Sequence, residues 1–285
     1  MRTVTIVGTG LIGASFGLAL RQAGFRGAIL GVSSPPALAE ALAAGAIDRG
    51  LPLAEAVAQS DLVFLAQAIG RILDTVRHLD PLLAPGAGTL VTDAGSTKCA
   101  IVDTARQSIA RGQFLGGHPM AGKETRGAAS ADASLFRGRT WVLTPDDPRE
   151  LETPAAREFR QWLERIGARV TVLDCDEHDR VVALTSHLQQ LASTALAATL
   201  ADHVHSPALL AVSGPGAIDM TRLALSSYDL WRDILATNSE HIERALGRYI
   251  QELEHLRENL RTRQLQAEFE RAAGLAGRLR EDLKS

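Results

Sequence analysis

Apolar residues follow different periodicities in the two halves of the chain. In the first half, short β-branched and aliphatic runs alternate with stretches in which apolar residues recur at helical spacing. Such alternation is typical of βαβ units around a parallel sheet. Strands are predicted at residues 3–7, 28–32, 62–66, 89–92, 141–143 and 169–173, with a helix over about 148–166 before the last of them.

Beyond Asp174 the pattern is helical to the end of the chain. One predicted apolar helix face consists of Val181, Leu184, Leu188, Leu191 and Ala195. The last segment, 238–285, has mixed charges and a second apolar stripe, which indicates packing against a partner or a neighbouring helix. We therefore predict an α/β domain over 1–173 and an all-α domain over 174–285.

Composition excludes several classes of protein. The 285 residues include 30 Lys and Arg against 33 Asp and Glu, and 46% are hydrophobic, which is typical of a folded globular protein. Without a basic run, nothing favours nucleic-acid binding. The N-terminus lacks the apolar region of a signal peptide, and the uncharged stretch 181–201 contains too many polar residues to favour a membrane span, so a cytoplasmic protein is expected. Cys99 and Cys175 lack metal-ligand spacing and are interpreted as small buried residues.

A glycine-rich turn joins the first predicted strand to the first helix. In the run 8–13, Gly8 permits a tight turn, Gly10 lets the backbone approach a pyrophosphate, and Gly13 allows close packing of helix on strand. The free N–H groups of the helix N-terminus favour phosphates. The predicted fold is therefore a doubly wound Rossmann-type sheet. The predicted cofactor-binding residues are Gly8, Gly10, Leu11, Ile12, Gly13, Ser33 and Ser34.

The end of the second strand bears on the choice of cofactor. NAD-binding sites usually have a carboxylate there that binds the ribose 2′-hydroxyl, whereas this chain has Ser33 and Ser34. Two hydroxyls without a carboxylate favour NADP+, although no Arg stands beside them. NAD+ therefore stays open as the alternative cofactor.

Two polar clusters follow predicted strands of the sheet. Ser96 comes just after the strand at 89–92, where it can bond a ligand, although Asp93 and Ser96 can equally cap the next helix. His118 lies between glycines and a proline, which predicts a fixed, uncrowded loop. Because a neutral imidazole can take a proton from an alcohol while hydride leaves the same carbon, His118 is a candidate general base.

The helical half carries a further polar group of residues. His187, Gln190 and Thr194 are spaced to form one helix stripe, which usually faces a cleft or an interface. Arg222 follows a glycine-rich turn. It is either a solvated helix charge or a guanidinium that binds a carboxylate through two hydrogen bonds.

Together these segments resemble the prephenate/arogenate dehydrogenase family of tyrosine biosynthesis. The resemblance rests on TIVGTGLIGAS, DAGSTK, GGHPMAGKE, SHLQQL and DMTRLA followed by LWRDI, in this order. It implies a Rossmann domain followed by a helical dimerisation domain, a homodimer, and no metal. The implied reaction is oxidative decarboxylation of prephenate to 4-hydroxyphenylpyruvate, or of arogenate to tyrosine, with reduction of NAD(P)+.

The resemblance also implies roles for individual residues. His118 would be the catalytic base, and Ser96 would bond the substrate hydroxyl or His118. The implied substrate-binding residues are Arg222, His187, Gln190, Lys123 and Glu124. Gln190 replaces a second His that many members carry, which leaves the choice between prephenate and arogenate open. Lys123 stands where many members have a small hydroxyl residue, and a cation there would favour an anionic substrate or the cofactor phosphate.

Two other functions fit the same architecture. Another two-domain dehydrogenase, acting on a hydroxyacid or an imine, would share the fold, because fold alone does not determine the substrate. A dinucleotide-sensing dimer would keep the cofactor site without catalysis. His118 argues against the sensor, since ligand binding requires no base.

Overall fold

The computed structural model describes residues 1–123, 125–204, 206–262 and 264–282. Two compact units make up the chain, Met1–Ser239 and Glu240–Ser285. Glu124, a predicted substrate-binding residue, lies outside the described residues. The domain boundary predicted at 173/174 remains a prediction.

Eight strands form one twisted sheet in the first unit. The strands are β1 (Thr3–Val7), β2 (Ala28–Val32), β3 (Arg49–Gly50), β4 (Leu62–Leu65), β5 (Leu90–Asp93), β6 (Gln113–Pro119), β7 (Thr140–Thr144) and β8 (Arg169–Val172). Their order is β3-β2-β1-β4-β5-β6-β7-β8, and every pair is parallel except β6 with β7. The first six strands therefore have the doubly wound order of dinucleotide-binding folds, which confirms the predicted fold class.

Helices connect the strands and continue beyond the sheet. They are α1 (Leu11–Gln22), α2 (Pro35–Ala43), α3 (Leu53–Val57), α4 (Ile69–Leu79), α5 (Cys99–Ser108), α6 (Pro154–Arg165), α7 (Cys175–Val182), α8 (Leu188–His203), α9 (Pro207–Leu210), α10 (Pro215–Thr221), α11 (Tyr228–Thr237), α12 (Ser239–Asn259) and α13 (Gln266–Asp282). A π-helical turn, Ala183–His187, joins α7 to α8. The helix predicted over 148–166 is split into a 3₁₀ turn, Pro148–Glu152, and α6.

Both faces of the sheet are buried. Along β4, Leu62 and Phe64 point into one apolar cluster, while Val63 and Leu65 point into a second cluster on the opposite face. This period-two alternation within a continuous apolar run is what a parallel sheet covered by helices on both sides requires. Trp141 on β7 anchors the first cluster, with ring contacts to four phenylalanines.

The segment that carries His118 is a strand and not the predicted loop. It forms β6, in antiparallel register with β7, and His118 pairs with Val142. Its glycines are required by close packing, since a Cβ on Gly116 would lie 2.2 Å from Thr144 Oγ1 and one on Gly117 would lie 2.6 Å from the Asp93 carbonyl oxygen. Tertiary contacts thus override the low strand propensity of Gly and Pro.

The five apolar residues predicted to form one face of the helix near 178–201 are not its buried residues. They are half-buried or exposed, and the buried side chains of α8 are instead the polar Gln190 and Ser193. Both side chains hydrogen-bond the backbone of the segment at 222–225. These hydrogen bonds to backbone groups explain why a polar face of α8 points inward. The expectation that Cys99 and Cys175 are small buried residues is also wrong, because both are partly exposed.

In the second unit, α12 and α13 are linked by polar contacts. His255 Nε2 lies 3.0 Å from Glu268 Oε1, and Arg271 lies 3.2 Å from Glu252. Leu253 on α12 and Phe269 on α13 are exposed. Within the described residues, no helix has both the length and the apolar character needed to cross a membrane.

Candidate active site

The glycine turn after β1 leaves a helix N-terminus open. Gly8 has a φ of +96°, and a Cβ there would meet the Ala66 carbonyl oxygen at 2.5 Å. A Cβ on Gly13 would lie 2.0 Å from the Gly8 carbonyl oxygen, so only glycine allows α1 to pack this close. A Cβ on Gly10, by contrast, would have no described atom within 4 Å, and no side chain of the described residues caps α1. The backbone N–H groups at this end of α1 can therefore receive phosphate oxygens.

Ser33 and Ser34 follow β2 and are exposed. Ser34 is the N-cap residue of α2, yet its side chain makes no cap hydrogen bond. The two hydroxyls stand at the end of the strand next to β1, where a dinucleotide ribose lies in this fold. They are therefore available to a ligand.

His118 is the first member of a hydrogen-bonded chain of three side chains. Its Nδ1 lies 2.9 Å from Nε2 of His178, and Nδ1 of His178 lies 2.8 Å from Oδ1 of Asp179. His178 and Asp179 belong to α7 and are buried, whereas His118 is partly buried. Neither α7 residue is among those that the sequence predicts for the site.

The carboxylate at the end of the chain determines the tautomer of each ring. Ionised Asp179 only accepts hydrogen bonds, so Nδ1 of His178 must donate to it. Nε2 of neutral His178 then carries no hydrogen and accepts, and Nδ1 of His118 must donate to it. The remaining nitrogen of His118, Nε2, is consequently an unprotonated lone pair, as a general base requires.

Asp179 is fixed by backbone donors from a distant segment. The Lys98 N–H donates to Oδ1 at 2.7 Å, and the Cys99 N–H donates to Oδ2 at 2.9 Å. Burial alone would raise the pKa of Asp179, but the hydrogen bonds from His178 and from these two amides hold it below its usual range. The same two hydrogen bonds cap the N-terminus of α5. The sequence suggests Asp93 or Ser96 for this role, whereas the structure shows Asp179 in it.

A buried ion pair fixes the strand that presents His118. Lys98 Nζ contacts the Asp93 carboxylate and donates to the Gly117 carbonyl oxygen at 2.8 Å. Oδ1 of Asp93 accepts from the Gly117 N–H at 3.1 Å. Both polar groups of Gly117 are thus bound by one ion pair, and His118 is held next to it.

Burial and a nearby positive group keep His118 neutral. Burial lowers the pKa of His118 well below its usual range, and the positive charge of Lys98 lowers it further. His118 is therefore unprotonated near neutral pH and has an anion two hydrogen bonds away.

His187 lies beside the same group of residues. It ends the π-helical turn, a feature that often occurs at functional sites. Its Nδ1 is 3.3 Å from Asn238 Nδ2, and the same amide donates to the Asp179 carbonyl oxygen at 2.8 Å. Burial lowers the pKa of His187 to about 4. Trp231 packs against its ring edge to face, with the centroids 5.7 Å apart.

Gln190 connects α8 to the segment of Arg222. Gln190 Nε2 donates to the Leu223 carbonyl oxygen at 2.9 Å and to Thr194 Oγ1 at 3.2 Å. The first contact identifies the nitrogen, since an amide oxygen would repel a carbonyl oxygen. Arg222 itself is exposed, at the start of the 3₁₀ turn Arg222–Leu225. The structure therefore places Arg222 one residue from a direct contact with Gln190.

Two other predicted residues are not joined to this network. Ser96 is half-buried three residues beyond β5, and its predicted bond to the substrate hydroxyl or to His118 remains a prediction. Lys123 Nζ is 2.9 Å from the Asp132 carboxylate at the surface. The Asp132 N–H in turn donates to Ser15 Oγ on α1 at 3.0 Å, which ties the Lys123 loop to the first helix.

Sequence reasoning missed His178, Asp179 and Asn238. His178 and Asp179 occur in the charge-rich run DCDEHDR, which suggests a solvated helix start. The helical spacing was one available signal, because His178 and Asp179 lie three and four residues before the apolar Val182 and therefore share its face of α7. A charged residue on a buried face requires a partner.

Comparisons with known proteins agree with the predicted family. The model for the prephenate dehydrogenase nucleotide-binding domain matches residues 16–172, and the model for its dimerization domain matches 174–273. A prephenate dehydrogenase of Lactococcus lactis is 32% identical over 243 residues, which cover 84% of this chain and 66% of that protein. The chain spans about two thirds of the length of the curated relatives it matches.

Two solved structures extend the similarity to nearly the full chain. Prephenate dehydrogenase from Aquifex aeolicus, in complex with hydroxyphenyl propionate and NAD+, superposes with a TM-score of 0.85 at 30% identity and covers 99% of this chain and 98% of that one. Synechocystis arogenate dehydrogenase superposes with a TM-score of 0.79 at 29% identity and covers 99% of each chain.

Proposed function

The chain belongs to the prephenate dehydrogenase family, and from this premise we propose that it catalyses the NAD(P)+-dependent oxidative decarboxylation of prephenate to 4-hydroxyphenylpyruvate. The chain of His118, His178 and Asp179 is the observation that carries the proposal. It supplies a neutral base with a defined acceptor nitrogen, which a binding protein would not require.

The proposed proton path begins at the ring hydroxyl of the substrate. His118 Nε2 accepts the hydroxyl proton, and the positive charge that forms is stabilised through His178 by the Asp179 carboxylate. Bound NAD(P)+ supplies the hydride acceptor. The ring then loses its carboxylate as CO2 because aromatisation favours that step, and His118 returns the proton to the phenolate oxygen. No net proton remains on the enzyme.

The open end of α1 fits a dinucleotide. Gly10 has open space around it, and the first-turn N–H groups of Leu11 and Ile12 are not capped by a side chain of the described residues. Ser33 and Ser34 expose two hydroxyls and no carboxylate where the 2′ position of the ribose is bound in this fold. We therefore propose a preference for NADP+ over NAD+.

The proposed substrate pocket lies between the base and α8. Arg222 would bind a carboxylate, and Ser96 would bond the ring hydroxyl. His187 would line the pocket, where its low pKa keeps it neutral. The roles of Lys123 and Glu124 in substrate binding remain part of the proposal.

Gln190 favours arogenate as the second candidate substrate. Its amide nitrogen makes both hydrogen bonds of this side chain within the described part of the chain, which leaves the oxygen as its free polar atom. An amide oxygen accepts a hydrogen bond from an ammonium group, whereas it repels a keto oxygen. If Gln190 contacts the substrate side chain, the enzyme will convert arogenate to tyrosine more efficiently than it converts prephenate.

The proposal includes a homodimer in the cytoplasm. The dimerization-domain model covers 174–273, and the exposed apolar side chains of α12 and α13 supply surface that a second subunit could bury.

A four-way assay tests the function. Purified protein is offered prephenate or arogenate, each with NAD+ or NADP+, and the reduced nicotinamide is followed by absorbance. Turnover of either substrate supports the proposal, and the ratios of kcat/KM identify the preferred pair. Absence of turnover in all four arms, with cofactor binding intact, would instead support the dinucleotide sensor.

The catalytic role of His118 has its own test. His118→Asn removes the acceptor nitrogen, so kcat should fall by about 10² to 10⁴-fold while the Kd for the cofactor stays unchanged. His78→Asn is the matched control, because His78 is exposed on α4. Near-normal turnover by the His118 variant would exclude it as the base.

A further inference from the structure

A buried asparagine joins two elements beside the catalytic chain. Asn238 follows the last residue of α11, and its Nδ2 donates to the Asp179 carbonyl oxygen at 2.8 Å. The same Nδ2 lies 3.3 Å from Nδ1 of His187. Because a carbonyl oxygen only accepts hydrogen bonds, the amide atom that faces it must be the nitrogen. A backbone group of α7 therefore determines the orientation of the Asn238 amide.

This orientation determines the tautomer of His187. Nδ2 of Asn238 has two hydrogens, of which one is donated to Asp179 and the other is available to Nδ1 of His187. A hydrogen on Nδ1 would place two donors against each other, so Nδ1 must be the acceptor. Burial also favours the neutral ring and lowers the pKa of His187 to about 4. The neutral ring then carries its hydrogen on Nε2, whereas Nε2 of His118 is an acceptor.

Two N–H donors beside Asn238 have no acceptor in the described part of the chain. Nε2 of His187 makes no hydrogen bond there, although the residue is only 1% exposed. Trp231 packs against His187 with the ring centroids 5.7 Å apart, and its buried indole N–H also has no partner among the described residues. A buried donor without an acceptor is destabilising, so this arrangement fits a ligand that supplies oxygen acceptors.

We propose that Asn238 is a positioning residue that holds His187 in its Nε2–H form, and that His187 donates this hydrogen to a carboxylate oxygen of the substrate. The inference rests on the proposed function. Prephenate and arogenate each have two carboxylates, one on the ring and one on the side chain, and Arg222 is proposed to bind one of them. A neutral donor can bind the other through a charge-assisted hydrogen bond without placing a second cation near the base.

Nuclear magnetic resonance tests the positioning role without any substrate. Two-bond proton–nitrogen spectra of the full-length protein with 15N-labelled histidine distinguish protonated from unprotonated ring nitrogens, and His187→Gln identifies the signals of His187. We expect an unprotonated Nδ1 and a protonated Nε2. Asn238→Asp places an acceptor opposite Nδ1, which should then become protonated. Asn259→Asp is the matched control, because Asn259 makes the same type of contact with His255 at 3.4 Å on an exposed face of α12.

Kinetics of two His187 variants test the contact with the carboxylate. His187→Asn places an amide only as far out as Nδ1, so it lacks the donor, and KM should rise by about 10 to 150-fold with little change in kcat. His187→Gln reaches the position of Nε2 and should keep KM within about threefold of the native value. The product 4-hydroxyphenylpyruvate retains only the side-chain carboxylate. Weaker inhibition of the Asn variant by this product would identify the side-chain carboxylate as the acceptor, and unchanged inhibition would identify the ring carboxylate.

Thermal unfolding confirms that each variant is folded. A proton on Nδ1 of His187 in the native protein would overturn the positioning role of Asn238. A folded His187→Asn variant with native KM would overturn the contact with the carboxylate, as would an equal rise in KM for His187→Gln. Absence of turnover of both substrates by the native protein would count against the proposed function and the substrate contact, whereas the tautomer of His187 would still be decided by the spectra.

Discussion

Asp179→Asn offers the sharpest test of the proposed proton path. The substitution keeps the size of the side chain but removes its charge. The amide can keep one oxygen facing the Lys98 N–H and the His178 ring, in which case its NH2 group meets the Cys99 N–H, and two donors face each other. The reverse orientation places NH2 against His178 and disfavours the tautomer on which His118 depends.

The expected loss follows from the geometry. Hydrogen bonds of 2.8 and 2.9 Å, joined by one imidazole ring, separate the Asp179 carboxylate from His118. At roughly 8 Å and an effective dielectric constant of about 20, the carboxylate stabilises a positive charge on His118 by about 2 kcal/mol, or about 30-fold in rate. Loss of the correct tautomer would add to this, up to the roughly 10⁴-fold that general base catalysis contributes.

Steady-state kinetics with the preferred substrate and cofactor provide the assay, and thermal unfolding confirms that each variant is folded. We expect kcat to fall by at least about 30-fold, while the Kd for the cofactor is unchanged. Glu177→Gln removes a charge from the same helix at a half-exposed ion pair and should have little effect. A folded Asp179 variant with kcat within about threefold of the native enzyme would refute the electrostatic role of this carboxylate.

Three further predictions concern binding, folding and pH. Arg222→Ala should raise KM by about 10 to 150-fold with little change in kcat if the guanidinium binds a substrate carboxylate, and an unchanged KM relative to an Arg180→Ala control would contradict that role. Gly117→Ala should lower the free energy of unfolding in urea by about 1–3 kcal/mol, because the added Cβ would meet the Asp93 carbonyl oxygen. Gly10→Ala has open space around the added Cβ and should instead weaken cofactor binding. His187 has a pKa of about 4 in the folded protein and an ordinary pKa of 6.5, so it binds a proton more readily in the unfolded chain. The free energy of unfolding should therefore decline as the pH falls below 6.5, and the total loss should reach about 3 kcal/mol below pH 4. His187→Gln should flatten that decline, and an unaltered pH dependence would contradict it.

Hydrophobic patterning was sufficient to predict most of the sheet. Strands β1 and β2 match their predicted ranges. β4 and β8 each end one residue earlier than predicted, and β5 and β7 differ from their predicted ranges by one residue at both ends. Each is a β-branched or aliphatic run whose local preference agrees with its position in the fold. The two-residue β3 is too short to produce a pattern, and β6 lacks one because its residues were selected for contact rather than for strand propensity.

The inward face of α8 shows a second limit of patterning. Hydrophobic periodicity assumes that apolar residues are the buried ones, yet Gln190 and Ser193 are buried because they bind backbone groups of the segment at 222–225. Nothing near residue 190 in the sequence reveals that such a segment lies beside it. The spacing of His187 and Gln190 predicted a polar helix face only because polar residues recur there at helical intervals.

The proton path could not be predicted for a related reason, since its direction depends on contacts between distant segments. His118 and His178 are 60 residues apart, and Asp179 is held by amides 80 and 81 residues away. The motif around His118 identifies a base, but an isolated imidazole has two tautomers, and only one of them leaves Nε2 free to accept. The choice is made by an ionised carboxylate that can only accept hydrogen bonds. That carboxylate stays ionised because His178 and the backbone amides of Lys98 and Cys99 donate to it. The identity of the base is therefore a local property of the sequence, whereas its readiness to accept a proton is a property of the folded sheet and of the helices that meet at Asp179.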